Sequence, residues 1–480
     1  MKKTILLAAL GLLSLATNAQ NKNFGYTVEV KFEKPIQDKK VYIAHYFGKG
    51  FPTIYKLDSA DVVGGTKATF HRSDSILGGL HLVMYDNNSK FFHFLLDNGY
   101  TVKADVDTSG RAIFSENQIN KEFEESELKM IAIQSKKNAL RDQLKDSKKK
   151  SDSTKIQDKF ETLIQEEKTI RRTYVATHPG NLLSLIFNAM DSPDIPKGKH
   201  YLKDGKTIDS LYGARYYKDH FWDKFDFTDN RLINTGLLEG RLAEYFNNYV
   251  YPIPDTINYE MDKLLKRAEP AKELYKYTLF WLGNWTNESK MMGVDGSFVY
   301  LVENYYGKGK AFWLDSAAVA KYRDRAAKIA PNVLGNPAPS LILQDLKNLQ
   351  DVDLTKATNS DYTVIAFWSS DCGHCMEEMP KLAKIWNESL KKEGVQFISI
   401  PTKVDGGNDI LKIYDTWKVN DWLTLVDAKN KKQFEATYDV YATPVIYILD
   451  KNKIIIGKKL GVGSVEEVIK HDKMMKKKGI

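Results

Sequence analysis

Thr363-Val364-Ile365-Ala366-Phe367-Trp368-Ser369-Ser370-Asp371-Cys372-Gly373-His374-Cys375 is an apolar run that leads directly into a Cys-x-x-Cys pair. Thr363 to Trp368 has the length and composition of a buried strand, and the residues from about Cys372 to Leu390 carry a helical pattern. A strand, a reactive residue and a helix in that order put Cys372 at the carboxyl end of the strand and the amino end of the helix. Amide donors and the helix dipole make a thiolate least costly there. The pair holds the only two cysteines among 480 residues, which points to chemistry.

Disulfide exchange needs a thiolate nucleophile and a second thiol within reach to resolve the mixed disulfide. Two intervening residues on the first turn of a helix supply that geometry, with Cys372 facing solvent as the attacking residue and Cys375 one turn in and less exposed. An imidazolium at His374 favours the thiolate, destabilises the disulfide and pushes the couple toward oxidising behaviour; the alternative is a solvent-facing histidine with no redox role. Covalent haem attachment needs histidine directly after the second cysteine, where Met376 stands. Structural zinc needs two more soft ligands, and the domain offers only His471 besides His374. A structural disulfide closing so small a loop stabilises little. The expectation is a redox pair with no metal and no diffusible cofactor.

Beyond the pair the pattern alternates. It predicts strand Gln396 to Ile400, helix Asp409 to Trp417, strands Pro444 to Leu449 and Lys453 to Lys459, and helix Val465 to Met475. Asn336-Pro337-Ala338-Pro339-Ser340 marks a rigid boundary before them. Upstream, Thr27 to Phe32, Val41 to Ala44, Lys67 to Phe70, Leu82 to Tyr85, Phe91 to Leu96 and Tyr100 to Ala104 are short strands without interposed helices, which indicates a small antiparallel sandwich or barrel. His45, His71, His81 and His93 lack metal-ligand spacing there. Helical periodicity takes over near Gln118: Phe123 to Arg141, Ile156 to Tyr174, Asn181 to Met190, Asn234 to Tyr249, Ile257 to Ala268, Lys272 to Trp285, Gly296 to Tyr306 and Ser316 to Ala330. The aromatics Tyr216, Tyr217, Phe221, Trp222 and Trp281 fit an interhelical core, or alternatively a groove for a partner chain.

Met1-Lys2-Lys3, an apolar stretch from Ile5 to Ala16 and Thr17-Asn18-Ala19-Gln20 have the form of a cleaved signal peptide. No later segment is apolar and long enough to span a bilayer. The expected location is periplasmic or extracellular, where thiols can be oxidised. The net charge of +8 is modest for this length, and the runs Lys148 to Lys150 and Lys476 to Lys478 lack interleaved aromatics, so no nucleic-acid partner is indicated. The expected organisation is a signal peptide at 1–19, a small antiparallel β domain at 20–115, a helical domain at 116–333 and an α/β redox domain at 334–480.

Phe367 to Cys375, the following Met379-Pro380, the Asn336-Pro337-Ala338-Pro339 approach and Ala442-Thr443-Pro444-Val445-Ile446-Tyr447-Ile448-Leu449-Asp450 together resemble the thioredoxin superfamily, in its TlpA/ResA-like branch of exported thiol-disulfide oxidoreductases. Upstream, the layout is similar to Bacteroidetes envelope proteins with a DUF4369-type β domain. The resemblance implies that Cys372 is the nucleophile, Cys375 the resolving cysteine and Pro380 a helix-kinking proline. It implies that Pro444 is a cis-proline facing the disulfide, and that the backbone of Thr443 pairs with substrate as an added strand. Glu378 matches an acidic residue one turn beyond the second cysteine. Ala366 stands where thioredoxin has a buried aspartate and Asp371 where it has tryptophan, which makes Glu378 the candidate proton relay for Cys375 and sets a carboxylate against His374. The implied partners are protein thiols or disulfides and a membrane or periplasmic partner that resets the pair. A second reading is an assembly protein that uses the redox module as a scaffold, since the long upstream part has no catalytic constellation. Peroxide reduction is disfavoured because Phe367 to Asp371 lacks the proline and threonine of a peroxide pocket.

Overall fold

The computed structural model describes residues 24–146, 150–403 and 407–478; the expected signal segment lies outside them. The chain forms two compact units. One runs to Pro193 and takes in Trp222–Gly240; the other comprises Asp194–Phe221 and the chain from Arg241 onward.

The first unit contains β1 (Tyr26–Phe32), β2 (Lys40–His45), β3 (Tyr55–Val63), β4 (Lys67–Arg72), β5 (Gly79–Tyr85), β6 (Lys90–Leu96), β7 (Tyr100–Val106) and β8 (Ala112–Glu116). They form one sheet in the order β6-β5-β2-β3-β4-β1-β7-β8. Alternation of buried and exposed residues along β1 leaves one face for a core. The sheet curls, since Phe92 on one edge strand and Phe114 on the other bring their rings to 6.3 Å, and Val30, Ile43, Phe94 and Val102 share a single core. Pairing is antiparallel except between β1 and β7, which run parallel from Tyr26 opposite Tyr100 to Phe32 opposite Val106. Alternation has the same period in both senses, so it could not reveal this. Helices α1 (Gln118–Asp146), α2 (Lys150–Thr177) and α3 (Leu182–Met190) follow. The Asn120 side chain ties α1 to β6 by accepting from the Leu95 N–H at 2.7 Å and donating to its carbonyl at 2.9 Å.

The remaining helices are α4 (Tyr212–His220), α5 (Leu237–Asn248), α6 (Pro254–Ala268), α7 (Lys272–Glu288), α8 (Val294–Leu301) and α9 (Ser316–Ile329). The helix expected from Asn234 to Tyr249 is broken: a 3-10 turn at Asn230–Thr235 ends at Gly236, φ 71°, before α5 begins. Gly236 is required there, because a Cβ would sit 2.8 Å from the Gly50 Cα and the left-handed backbone excludes most side chains. Phe221 is buried with its ring 5.1 Å from Tyr245, as interhelical core.

The C-terminal domain contains β9 (Ile342–Asp345), β10 (Asp351–Asp353), α10 (Leu354–Ala357), β11 (Tyr362–Trp368), α11 (Gly373–Ile385), β12 (Gln396–Pro401), α12 (Gly407–Trp417), β13 (Leu423–Val426), α13 (Gln433–Thr437), β14 (Val445–Asp450), β15 (Ile455–Lys458) and α14 (Val465–Lys477). The sheet order is β10-β9-β13-β12-β11-β14-β15. β11 is central, parallel to β12 and antiparallel to β14. Every residue of β11 is buried: Val364, Ala366 and Trp368 share a layer with Cys375 and Met379, while Ile365 and Phe367 pack with Tyr438 and Tyr447. Burial on both faces explains a continuous apolar run where a half-buried strand would alternate. The entry segment Asn336 to Pro339 pairs with the start of β15 and the residues just before it. Ile455 donates to the Asn336 carbonyl at 2.9 Å and Ala338 donates to the Lys453 carbonyl at 2.8 Å.

Candidate active site

Cys372 ends the loop after β11 and caps α11. Its backbone is extended (φ −94°, ψ 109°), and its Sγ accepts from the Cys375 N–H at 3.4 Å. The residue is half-buried, and both cysteines are unpaired thiols. The neighbouring Cys375 thiol lowers the Cys372 pKa most; burial opposes it, and the Cys375 N–H, Thr443 and the His374 N–H add to the lowering. Cys375 is fully buried, and burial, then Cys372, push its thiol up to about 11. The dithiol is thus asymmetric: an accessible sulfur that ionises readily and a covered one that holds its proton.

The Thr443-Pro444 peptide bond is cis. The Thr443 carbonyl accepts from the Cys372 thiol at 3.4 Å, just before β14. An open hollow of about 350 Å³ leads to this contact and is lined by Cys372, Thr443, Lys403, Phe434 and Tyr441. Beneath the site, Trp368 Nε1 donates to Ser399 Oγ at 2.8 Å and Tyr414 donates to the same oxygen at 2.6 Å. The strand end is therefore fixed by satisfied buried polar groups.

His374 is exposed on the first turn of α11. Asp371, expected to oppose it, is engaged: Lys403 Nζ lies 2.5 Å from its carboxylate and Ser369 Oγ donates to it. Lys403 first, then Ser369, hold the Asp371 carboxyl below the usual range. Ala366 is fully buried in the layer of Cys375, so that position offers no proton acceptor. Glu378 pairs with Lys381 at 2.6 Å. That contact, ahead of a weaker contribution from His374, holds its carboxyl below the ordinary value. Lys403 escaped sequence reasoning because it enters from the loop after β12, and nothing local to the Cys-x-x-Cys pair signals it.

Residues 334–474 match the family described as Redoxin, and residues 139–332 match a domain of unknown function, DUF5106. The thioredoxin-like protein YneN of Bacillus subtilis is 28% identical over 125 residues, 25% of this chain and 68% of that protein. Among solved structures, a thioredoxin-like protein from Bacteroides caccae is 19% identical over 58% of this chain and 98% of its own, with a TM-score of 0.46. A domain of a possible thiol-disulfide isomerase from Cytophaga hutchinsonii is 38% identical over 31% of this chain and 99% of its own, with a TM-score of 0.27.

Proposed function

From a thioredoxin-superfamily, thiol-disulfide oxidoreductase-like protein with redoxin and DUF5106 domains, we propose an exported enzyme of the TlpA/ResA-like type, with a DUF4369-type β domain, that exchanges disulfides with client proteins in the cell envelope. The observation that carries the reading is the asymmetry of the dithiol: a half-buried Cys372 with a depressed pKa beside the Thr443 carbonyl, and a fully buried Cys375 raised to about 11.

In the reducing direction, the Cys372 thiolate attacks one sulfur of a client disulfide. A Cys372–client disulfide forms and the other client sulfur leaves as a thiolate that takes up a proton. Cys375 then loses its proton and attacks Cys372 Sγ; the Cys372–Cys375 disulfide forms and the second client thiolate is released. Two electrons pass from the enzyme dithiol to the client, and a dithiol partner in the envelope restores the pair by the same exchange. The Thr443 backbone offers an edge along which an extended client segment can lie. His374 supports the thiolate, and among the described residues no helix is long and apolar enough to cross a membrane.

Insulin reduction by dithiothreitol is expected to accelerate with the wild-type protein and to lose that acceleration in Cys372→Ser; equal rates for the two would refute the reading. Cys375→Ser is expected to trap clients as mixed disulfides. An active wild type whose Cys375→Ser variant traps no client would favour a scaffold.

A further inference from the structure

The segment that delivers the cis-proline to Cys372 is gripped from the helices that precede the redox domain. Asp439 lies four residues before Thr443. It is 5% exposed and has a left-handed φ of 52°, which aspartate tolerates better than most residues. Both terminal guanidinium nitrogens of Arg325 on α9 bond its carboxylate, Nη2 at 3.1 Å, and Lys459 Nζ bonds it at 2.7 Å. Lys459 lies 3.5 Å from the carboxylate of Asp295 on α8, and Lys458, only 1% exposed, pairs with that carboxylate at 2.8 Å. Asn332, just after α9, donates to the Thr437 carbonyl at 3.0 Å and accepts from Lys458 Nζ at 3.1 Å and from the Tyr447 hydroxyl at 3.2 Å.

Burial by itself pushes the Asp439 carboxyl up, but Arg325 and Lys459 outweigh it and keep the group ionised. A charge network this deeply buried gives little net stability, because desolvation offsets most of the attraction. Its better-attested use is to select one arrangement of the elements it joins. Here the joined elements are α8, α9, β15 and the loop from Thr437 to Thr443, whose last carbonyl touches the nucleophile.

We propose that Arg325 and Asp439, supported by Asp295, Asn332 and Lys458, are positioning residues for Cys372: the upstream helices hold the Thr443-Pro444 loop against the sulfur and thereby set the rate and equilibrium of its exchange. This rests on the disulfide-exchange reading of the Cys372/Cys375 pair.

The test uses the full chain, with oxidised glutathione as the probe and circular dichroism as the check on folding. Arg325→Met is expected to slow exchange about fivefold or more and to move the equilibrium constant with glutathione about threefold or more. Arg325→Lys keeps the charge but not the bidentate grip on Asp439, so it should recover both quantities only in part, between Arg325→Met and wild type. Tyr300→Phe, which removes a hydroxyl that donates to Asp262 at 2.5 Å between α8 and α6, should leave both unchanged. A folded Arg325→Met protein with wild-type rate and equilibrium overturns the proposal. If that variant does not fold, Lys459→Met removes a partly exposed cation from the same carboxylate and is judged by the same two quantities. A wild type that fails to exchange counts against the redox reading, whereas an active wild type with unaffected variants counts only against the positioning network.

Discussion

Cys372 and Cys375 are identical thiols one helical turn apart whose pKa values move in opposite directions, because one caps the helix and the other is packed beneath it. Alkylation reports this directly. Iodoacetamide should modify Cys372 alone in the native dithiol, with a rate that reaches half its maximum below the roughly 8.5 of a free thiol, and Cys375 only after denaturation. A midpoint at or above the free-thiol value would contradict the site as described. With the Asp371 carboxylate occupied by Lys403, little opposes stabilisation of the Cys372 thiolate, and the couple should lie nearer the roughly −180 mV of protein disulfide isomerase than the roughly −270 mV of thioredoxin. Glutathione equilibration measures it, and a His374→Ala variant should be more reducing. Glu378, expected from sequence as the proton relay of Cys375, is paired with Lys381. Glu378→Gln should leave the pH profile of exchange superimposable on wild type, since a carboxyl held ionised carries no proton near neutrality. The contiguous residues of the site were legible because they share one strand and one turn. Lys403 and the Lys381 pairing were not, since no period or spacing encodes which distant or neighbouring cation a carboxylate selects.

At the scale of elements, β11 was legible for the same reason that it is central: a strand covered on both faces must be apolar throughout. Among the strands that sequence reading missed, β3 on one side and β10 and β13 on the other failed on opposite grounds. Tyr55–Val63 is mostly exposed along its length and so shows no alternation, while Asp351–Asp353 and Leu423–Val426 are too short for a period to register. The burial of β11 also dictates what Ala366 can become. A carboxyl at that position would enter the layer of Val364, Trp368 and Cys375 without a described cation, so Ala366→Asp should cost about 3 kcal/mol at neutral pH. Burial raises the native pKa of the new carboxyl above its unfolded value of about 3.9. The cost should therefore be small near that value and grow as pH rises through the native pKa. Urea denaturation of the reduced protein at several pH values would measure this, and a pH-independent difference from wild type would reject the account.

At the scale of the whole molecule, helical periodicity gives way to α/β alternation near residue 333, and the compact unit that holds the redox pair contains residues on both sides of that change. Helices from α6 to α9 belong with the redox domain, and the side chains that bind them to it are single residues on either side: Asp295, Arg325 and Asn332 upstream, Asp439, Lys458 and Tyr447 downstream. Such pairs leave no mark on periodicity, and in a sequence a buried lysine looks like an exposed one. Cooperative unfolding is a property of what is packed together. In hydrogen exchange, the amides of α7, α8 and α9 should open with those of β11 and β14, and oxidation of the Cys372/Cys375 pair should change protection in these helices as well as in the strands. A loop closed by only two intervening residues adds little stability through chain entropy, so any such change should reach the helices through native contacts such as those of Asp439, Lys458 and Tyr447. Helices whose exchange ignored the redox state, while β14 responded to it, would show that the two parts unfold independently despite the charges between them.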